Sequence, residues 1–116
     1  MSGMYILDDL GRPMEVDDVL VWGAWFETAT RIVEQTVVGD RLLVSTVFLG
    51  LNHNYGTGAP ILWETMVFKH NGWQGTDFDG DYQQRYSSRE KAEQGHRRAI
   101  RWAEQQLEAY DKEHQK

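Results

Sequence analysis

The sequence predicts an α+β protein: a largely antiparallel β-sheet with a short N-terminal helix and a long C-terminal helix packed on one face. Three observations predict it. β-Branched runs joined by Gly39-Asp40 mark paired strands between Arg31 and Leu51. A second apolar run, I-L-W-E-T-M-V-F-K, follows Pro60. From Ser87 onward the chain opens on a capping-box pattern and then carries apolar residues at helical spacing. At 116 residues there is room for one core and little for a second, so residues 1–116 are read as a single domain.

The elements follow in order. Met4 to Leu7 is a short apolar run, and D-D-L-G-R-P after it is turn chemistry, with Gly11 for a positive φ and Pro13 to fix the exit. Asp17 or Asp18 is placed to cap a helix in which Val19, Trp22, Phe26 and Ala29 share a face. V-L-V-W would equally suit a strand. The acids at its start favour a short helix to about Thr28, and Gly23 costs that helix only about 1 kcal/mol. R-I-V-E-Q-T-V-V, G-D and R-L-L-V-S-T-V-F-L-G-L then read as a hairpin. Its second arm is apolar on both faces, the pattern of a central strand. N-G-W-Q-G-T-D-F-D-G-D-Y is too rich in Gly, Asn and Asp for regular structure, and its length marks it as mobile or functional. Ser87 and Glu90 form the capping box of a helix expected from Ser88 to about Tyr110. Ala92, His96, Ala99 or Ile100, Ala103, Leu107 and Tyr110 lie on its apolar stripe.

Two polar residues fall on these apolar faces. Glu64 shares a strand parity with Leu62, Met66 and Phe68, and His96 sits among the helix alanines after Gly95. Burying either alone is costly, so Glu64 and His96 are expected to form a structural buried pair across the sheet–helix interface. The bland alternative places both at the wetted edge of the core.

Composition removes several function classes. A net charge of −6 argues against sequence-independent nucleic-acid binding, which needs Lys and Arg to neutralise phosphates, and against an anionic membrane surface. No apolar run approaches the ~20 residues of a membrane span, and M-S-G-M-Y-I-L lacks the features of a signal peptide. Without cysteine there are no disulfides or thiolate metal sites. These readings favour an intracellular protein.

Constellations for chemistry are sparse. His53, His70, His96 and His114 include no helical i,i+4 pair, so no metal and no cofactor are expected. D-F-D-G-D, Asp77 to Asp81, has its glycine and acids misplaced for a calcium loop and reads as a solvated acidic turn. G-T-G lacks the G-K-[ST] of a phosphate loop, and no serine sits in a G-x-S-x-G elbow. His53 and Glu64 could form an acid–base pair, the basis of a hydrolase or transferase alternative, although no nucleophile accompanies them. Arg97 and Arg101 suit a solvated helix face; a minority reading makes Arg85 with Arg97 or Arg98 a phosphate clamp. The stretch N-H-N-Y is the most suggestive. Asn52, His53, Asn54 and Tyr55 at the end of a rigid strand suit recognition of a flat polar ligand, or else simply supply turn geometry.

V-S-T-V-F-L-G-L-N-H-N-Y-G, P-I-L-W-E-T-M-V-F and R-Y-S-S-R-E-K-A-E-Q-G-H, with W-G-A-W-F-E-T-A-T-R-I-V upstream, resemble an uncharacterised family of small bacteriophage and prophage proteins. Four blocks in order cover about three quarters of the chain. Between Lys69 and Gln84 the chain is longer and more irregular than that family's turn. The resemblance implies a phage-encoded protein working in the host bacterial cytoplasm, and no activity. Together with the loop chemistry it leads to an expected function: an accessory, anti-defence binding protein that sequesters a small nucleotide immune signal without chemistry. Asn52, His53, Asn54, Tyr55, Arg85, Tyr86 and Arg97 would bind the ligand, and a homo-oligomer is expected. The alternative is an inhibitor that binds a host defence protein, such as a nuclease, through an aromatic-rich face.

Overall fold

The computed structural model describes residues 2–115. In chain order the elements are β1 (Met4–Leu7), β2 (Pro13–Val16), α1 (Val19–Thr28), β3 (Ile32–Val38), β4 (Leu42–Phe48), β5 (Trp63–Lys69), β6 (Tyr82–Tyr86) and α2 (Arg89–Glu113). β1 and β2 form an antiparallel hairpin, and β3-β4-β5-β6 form a second sheet, antiparallel throughout. The α+β class read from the sequence is the class observed. The small strands β2 and β6 were not expected: β2 is only four residues long and directly follows turn chemistry, β6 lies in polar sequence, and each pairs with a neighbouring strand.

Local chemistry accounts for the element ends. In the β1–β2 turn, Asp8 Oδ1 accepts from the amides of Leu10 and Arg12 at 2.9 and 2.8 Å. The Arg12 amide, first among several causes, holds the Asp8 carboxyl below its usual range. Asp18 caps α1 by accepting from Leu20 N at 2.8 Å. The β3–β4 hairpin turns on Gly39 and Asp40, both at φ 57°. Two consecutive positive φ values define a type I′ turn, in which a glycine carries no Cβ penalty. At α2 the cap is Ser88, not Ser87: its Oγ accepts from Lys91 N at 3.1 Å, one residue later than the capping box implied.

α2 lies across one face of the four-stranded sheet and buries Ala92, Gly95, His96, Ala99, Ala103 and Leu107. Two apolar clusters meet beneath it. Val38, Leu42, Val44 and Val67 pack under Ala99, Ala103 and Leu107. Phe48, Leu62, Trp63 and Tyr86 pack under Ala92, with Tyr5, Leu7 and Trp25 of the hairpin and α1 closing the end. Trp25 meets Phe48 edge-on, at a centroid distance of 5.9 Å.

The loop between β5 and β6 has no regular structure but is pinned. Trp73 stacks edge-on against Tyr110 at 5.1 Å, Phe78 lies 5.1 Å from Trp102, and Asp79 Oδ1 accepts from Lys69 N at 3.0 Å. The aromatics give back the apolar burial that the Gly- and Asp-rich backbone lacks. At the same end, Arg41 donates to both oxygens of Asp111 at 2.8 and 3.1 Å, which lowers the Asp111 pKa and raises that of Arg41.

The expected Glu64–His96 pair does not form. The helix-facing residues of β5 are Trp63, Thr65 and Val67, in register with Phe48, Thr46 and Val44 of β4. Alternation therefore puts Glu64, Met66 and Phe68 on the opposite face. A helix lined by alanine and glycine comes close to the sheet and leaves room mainly for short Thr and Val side chains. Met66 and Phe68 share the other parity, so Glu64 lies with them on the face away from α2.

His96 instead closes a polar network between the two clusters. The residue is fully buried; Nδ1 lies 2.6 Å from Thr46 Oγ1, and Nε2 lies 2.9 Å from Thr36 Oγ1. Thr46 continues to Thr65 Oγ1 at 2.6 Å. The carboxylate near the ring is Glu34, 3.4 Å from Nε2, which favours the tautomer with its proton on Nε2. Burial, the leading cause, lowers the His96 pKa; Arg97 adds to this and Glu34 opposes it.

Candidate functional site

β1 adds its free edge to the strand end after β4: Tyr5 N donates to Gly50 O at 2.8 Å, and Asn52 N to Gly3 O at 2.9 Å. This seam places the loop from Asn52 to Pro60 beside the N-terminal hairpin. Between them lies a groove of 780 Å³, the largest concavity described, with Tyr5, Glu15, Asn52, Asn54, Tyr55 and Pro60 in its walls. Residues far apart in the sequence are thus brought to one site.

The loop's polar residues divide into scaffold and available groups. Asn54 is scaffold: Nδ2 donates to the carbonyls of Thr57 and Ala59 at 3.1 and 2.9 Å, and Oδ1 accepts from Gly56 N at 3.0 Å. Asn52 Oδ1 accepts from the amides of Asn54 and Ile61 at 2.8 and 3.0 Å. Its Nδ2 makes no hydrogen bond among the described residues. Asn54 and the Asn52 carbonyl oxygen therefore supply turn geometry, the second of the two readings of N-H-N-Y. Tyr55 is 90% exposed, and its ring lies 6.4 Å from that of His53. Across the groove, burial first and the Glu15 carboxylate second raise the Tyr5 pKa.

The remaining expected ligand residues do not converge here. Arg85 lies on the sheet face away from α2, where Nε donates to Glu64 Oε2 at 2.9 Å. Gln83 donates to the same oxygen at 2.8 Å. Tyr86 is buried under α2 and Arg97 projects from the exposed side of that helix. The phosphate clamp is therefore not assembled, because neighbouring residues on β6 point to opposite faces and Arg97 belongs to another layer. Nor does a contact join His53 to Glu64 among the described residues, so the acid–base pair is not built. Tyr5 and Glu15 were not recognised from sequence; their signal was only that a polar residue, Glu15, interrupts an otherwise apolar strand.

No group of three or more His, Asp or Glu residues is placed to hold a metal ion among the described residues. No helix among them is long and apolar enough to cross a membrane. The groove is lined by phenol, amide and carboxylate groups, with no Lys or Arg in its lining among the described residues. No protein-family model, curated protein or solved structure matches this chain, so its reading rests on that geometry.

Proposed function

We propose that the chain is a phage accessory protein that acts by binding in the bacterial cell, as an anti-defence factor, and that its groove takes a polypeptide segment of a host defence protein. The observation that carries this reading is Tyr55, 90% exposed at a groove whose wall holds Glu15 and whose lining contains no Lys or Arg among the described residues. A free phosphate-bearing signal would meet the Glu15 carboxylate with nothing to neutralise it. A peptide segment suits the same groups: backbone amides and carbonyls for Asn52 and the phenols, a side chain against the tyrosine rings, and a basic residue for Glu15. The phage and anti-defence parts of the reading rest on the sequence resemblance.

The test is phage plating on a bacterium that carries a defence system and expresses the protein. The wild type is expected to restore plaques. Tyr55→Ala and Glu15→Arg are expected to abolish that effect with melting temperatures within about 3 °C of wild type, as befits exposed positions. Failure of the wild type to restore plating on any defended host would overturn the anti-defence reading. The exposed Tyr55 ring would also stack a base. A thermal shift with a cyclic nucleotide, lost in Tyr55→Ala, would replace the polypeptide by a nucleotide ligand.

A further inference from the structure

The sheet has one covered face and one open one. On the open face, β3 contributes Ile32 and Val37, β4 contributes Leu43 and Val47, and β5 contributes Met66 and Phe68. Ile32 and Val37 are 50% and 47% exposed, and the other four are half-buried. No helix or strand packs on this face among the described residues; the Gly80 turn comes against Phe68 and Met66. A central strand apolar on both sides is the pattern of a layer buried on both sides, and the chain itself covers only one. We propose that the missing layer is the same face of a second copy, in an isologous dimer with two sheets stacked back to back.

Area, charge and chemistry favour a second copy over an unrelated partner. A compact monomer of 13.5 kDa exposes about 6,500 Å². This chain exposes 7420 Å², about 900 Å² more over the whole molecule, an excess shared between this face and the exposed residues of α1, the hairpin and the loop; a standard interface takes ~800 Å² from each partner. The radius of gyration, 16.6 Å, likewise exceeds the ~13 Å of a compact domain of this length. The chain carries −6 overall, but the strand residues of this face include one acid and one base, Glu64 and Arg85, already paired. Two copies therefore meet here without net repulsion. Both donors to Glu64 use Oε2, leaving Oε1 and the terminal guanidinium nitrogens of Arg85 without hydrogen bonds among the described residues. An acceptor and donors unused on one face are what a two-fold axis can satisfy reciprocally. Sheets stack about 10 Å apart with interdigitating side chains, which the half-buried Leu43, Val47, Met66 and Phe68 supply.

Light scattering after size exclusion and sedimentation equilibrium read the result. The wild type is expected at twice the chain mass of 13.5 kDa. Met66→Glu is expected to weaken dimerisation on the order of a hundred-fold and give monomer with unchanged helical circular dichroism. Should Met66→Glu fail to fold, Val37→Glu at the exposed edge reads the same face. Leu20→Glu, on the separate exposed patch of α1 where Leu20 is 80% exposed, is expected to leave the dimer intact. A wild type that stays monomeric at about 100 µM overturns the proposal. So does a dimer that survives both sheet-face charges, or one dissociated by Leu20→Glu instead. The outcome is independent of the groove, which shares no residue with this face.

Discussion

His96→Leu is expected to destabilise the chain by about 3 kcal/mol, the largest effect of any single substitution considered. Leucine is close to imidazole in size, so the loss comes from chemistry, not volume. It leaves Thr36 Oγ1 and Thr46 Oγ1 facing an apolar side chain, when in the native protein they lie 2.9 and 2.6 Å from the ring nitrogens. Each buried hydroxyl deprived of its partner costs about 1–3 kcal/mol. Thr36 is only half-buried and recovers part of its loss through water, while Thr46 retains Thr65 at 2.6 Å. Urea unfolding of His96→Leu checks the magnitude. The quadruple variant His96→Leu, Thr36→Val, Thr46→Val, Thr65→Val is expected to regain most of the stability, because removing the whole network together strands none of these hydroxyls. No recovery would show that the cost lies in packing.

The same residue sets a pH dependence. Its folded pKa lies below the ordinary value of 6.5 because burial disfavours the charged ring, so the unfolded chain binds the proton more readily. Stability from this group is fully present above about pH 6.5 and is lost as pH falls from there towards the folded pKa, with a slope of at most about 1.4 kcal/mol per pH unit. The facing groups are Glu34 from β3, which opposes the shift, and Arg97 on α2, which reinforces it. Denaturation curves between pH 7.5 and pH 5 are expected to show this decline in the wild type (range chosen to stay above carboxylate titration). In His96→Leu the decline should be flatter; equal slopes in the two proteins would remove His96 as its source.

Gly95→Ala is expected to destabilise the protein by about 2 kcal/mol, even though alanine is the better helix former by about 1 kcal/mol. Two effects compete. A Cβ on Gly95 would overlap the Tyr86 phenol, whose ring and hydroxyl occupy that space. Tyr86 is only 7% exposed and is wedged into the cluster of Phe48, Trp63 and Ala92, so it cannot swing aside cheaply. Overpacking of this kind costs about 1–3 kcal/mol or more and outweighs propensity. The Tyr86 hydroxyl is also buried without a hydrogen-bond partner among the described residues. Tyr86→Phe is therefore expected to be neutral or slightly stabilising, and it should soften the Gly95→Ala defect in a double-mutant cycle. Stabilisation by Gly95→Ala alone would mean that helix and sheet sit farther apart than described.

Much of the architecture was written in local pattern. Alternation and the Gly39-Asp40 turn gave the β3–β4 hairpin, Asp18 gave the start of α1, and the 3.6-residue stripe from Ala92 to Leu107 gave the buried side of α2. These depend on residues a few positions apart, whose geometry the backbone fixes directly. Gly95 was readable as a point of close approach, but only packing supplied Tyr86 as what approaches. Tertiary structure likewise decided which parity of β5 faces the helix, and so separated Glu64 from His96. A one-residue shift of face reverses every side chain along a strand, and local sequence does not say which face must accept short side chains. The groove was legible by half. N-H-N-Y marked one wall, whereas Tyr5 and Glu15 reach it through the seam between β1 and Gly50, a long-range pairing with no local signature. Arg85 and Arg97 were scattered by the same logic, since residues of suitable chemistry become a site only when layer and register bring them to one side.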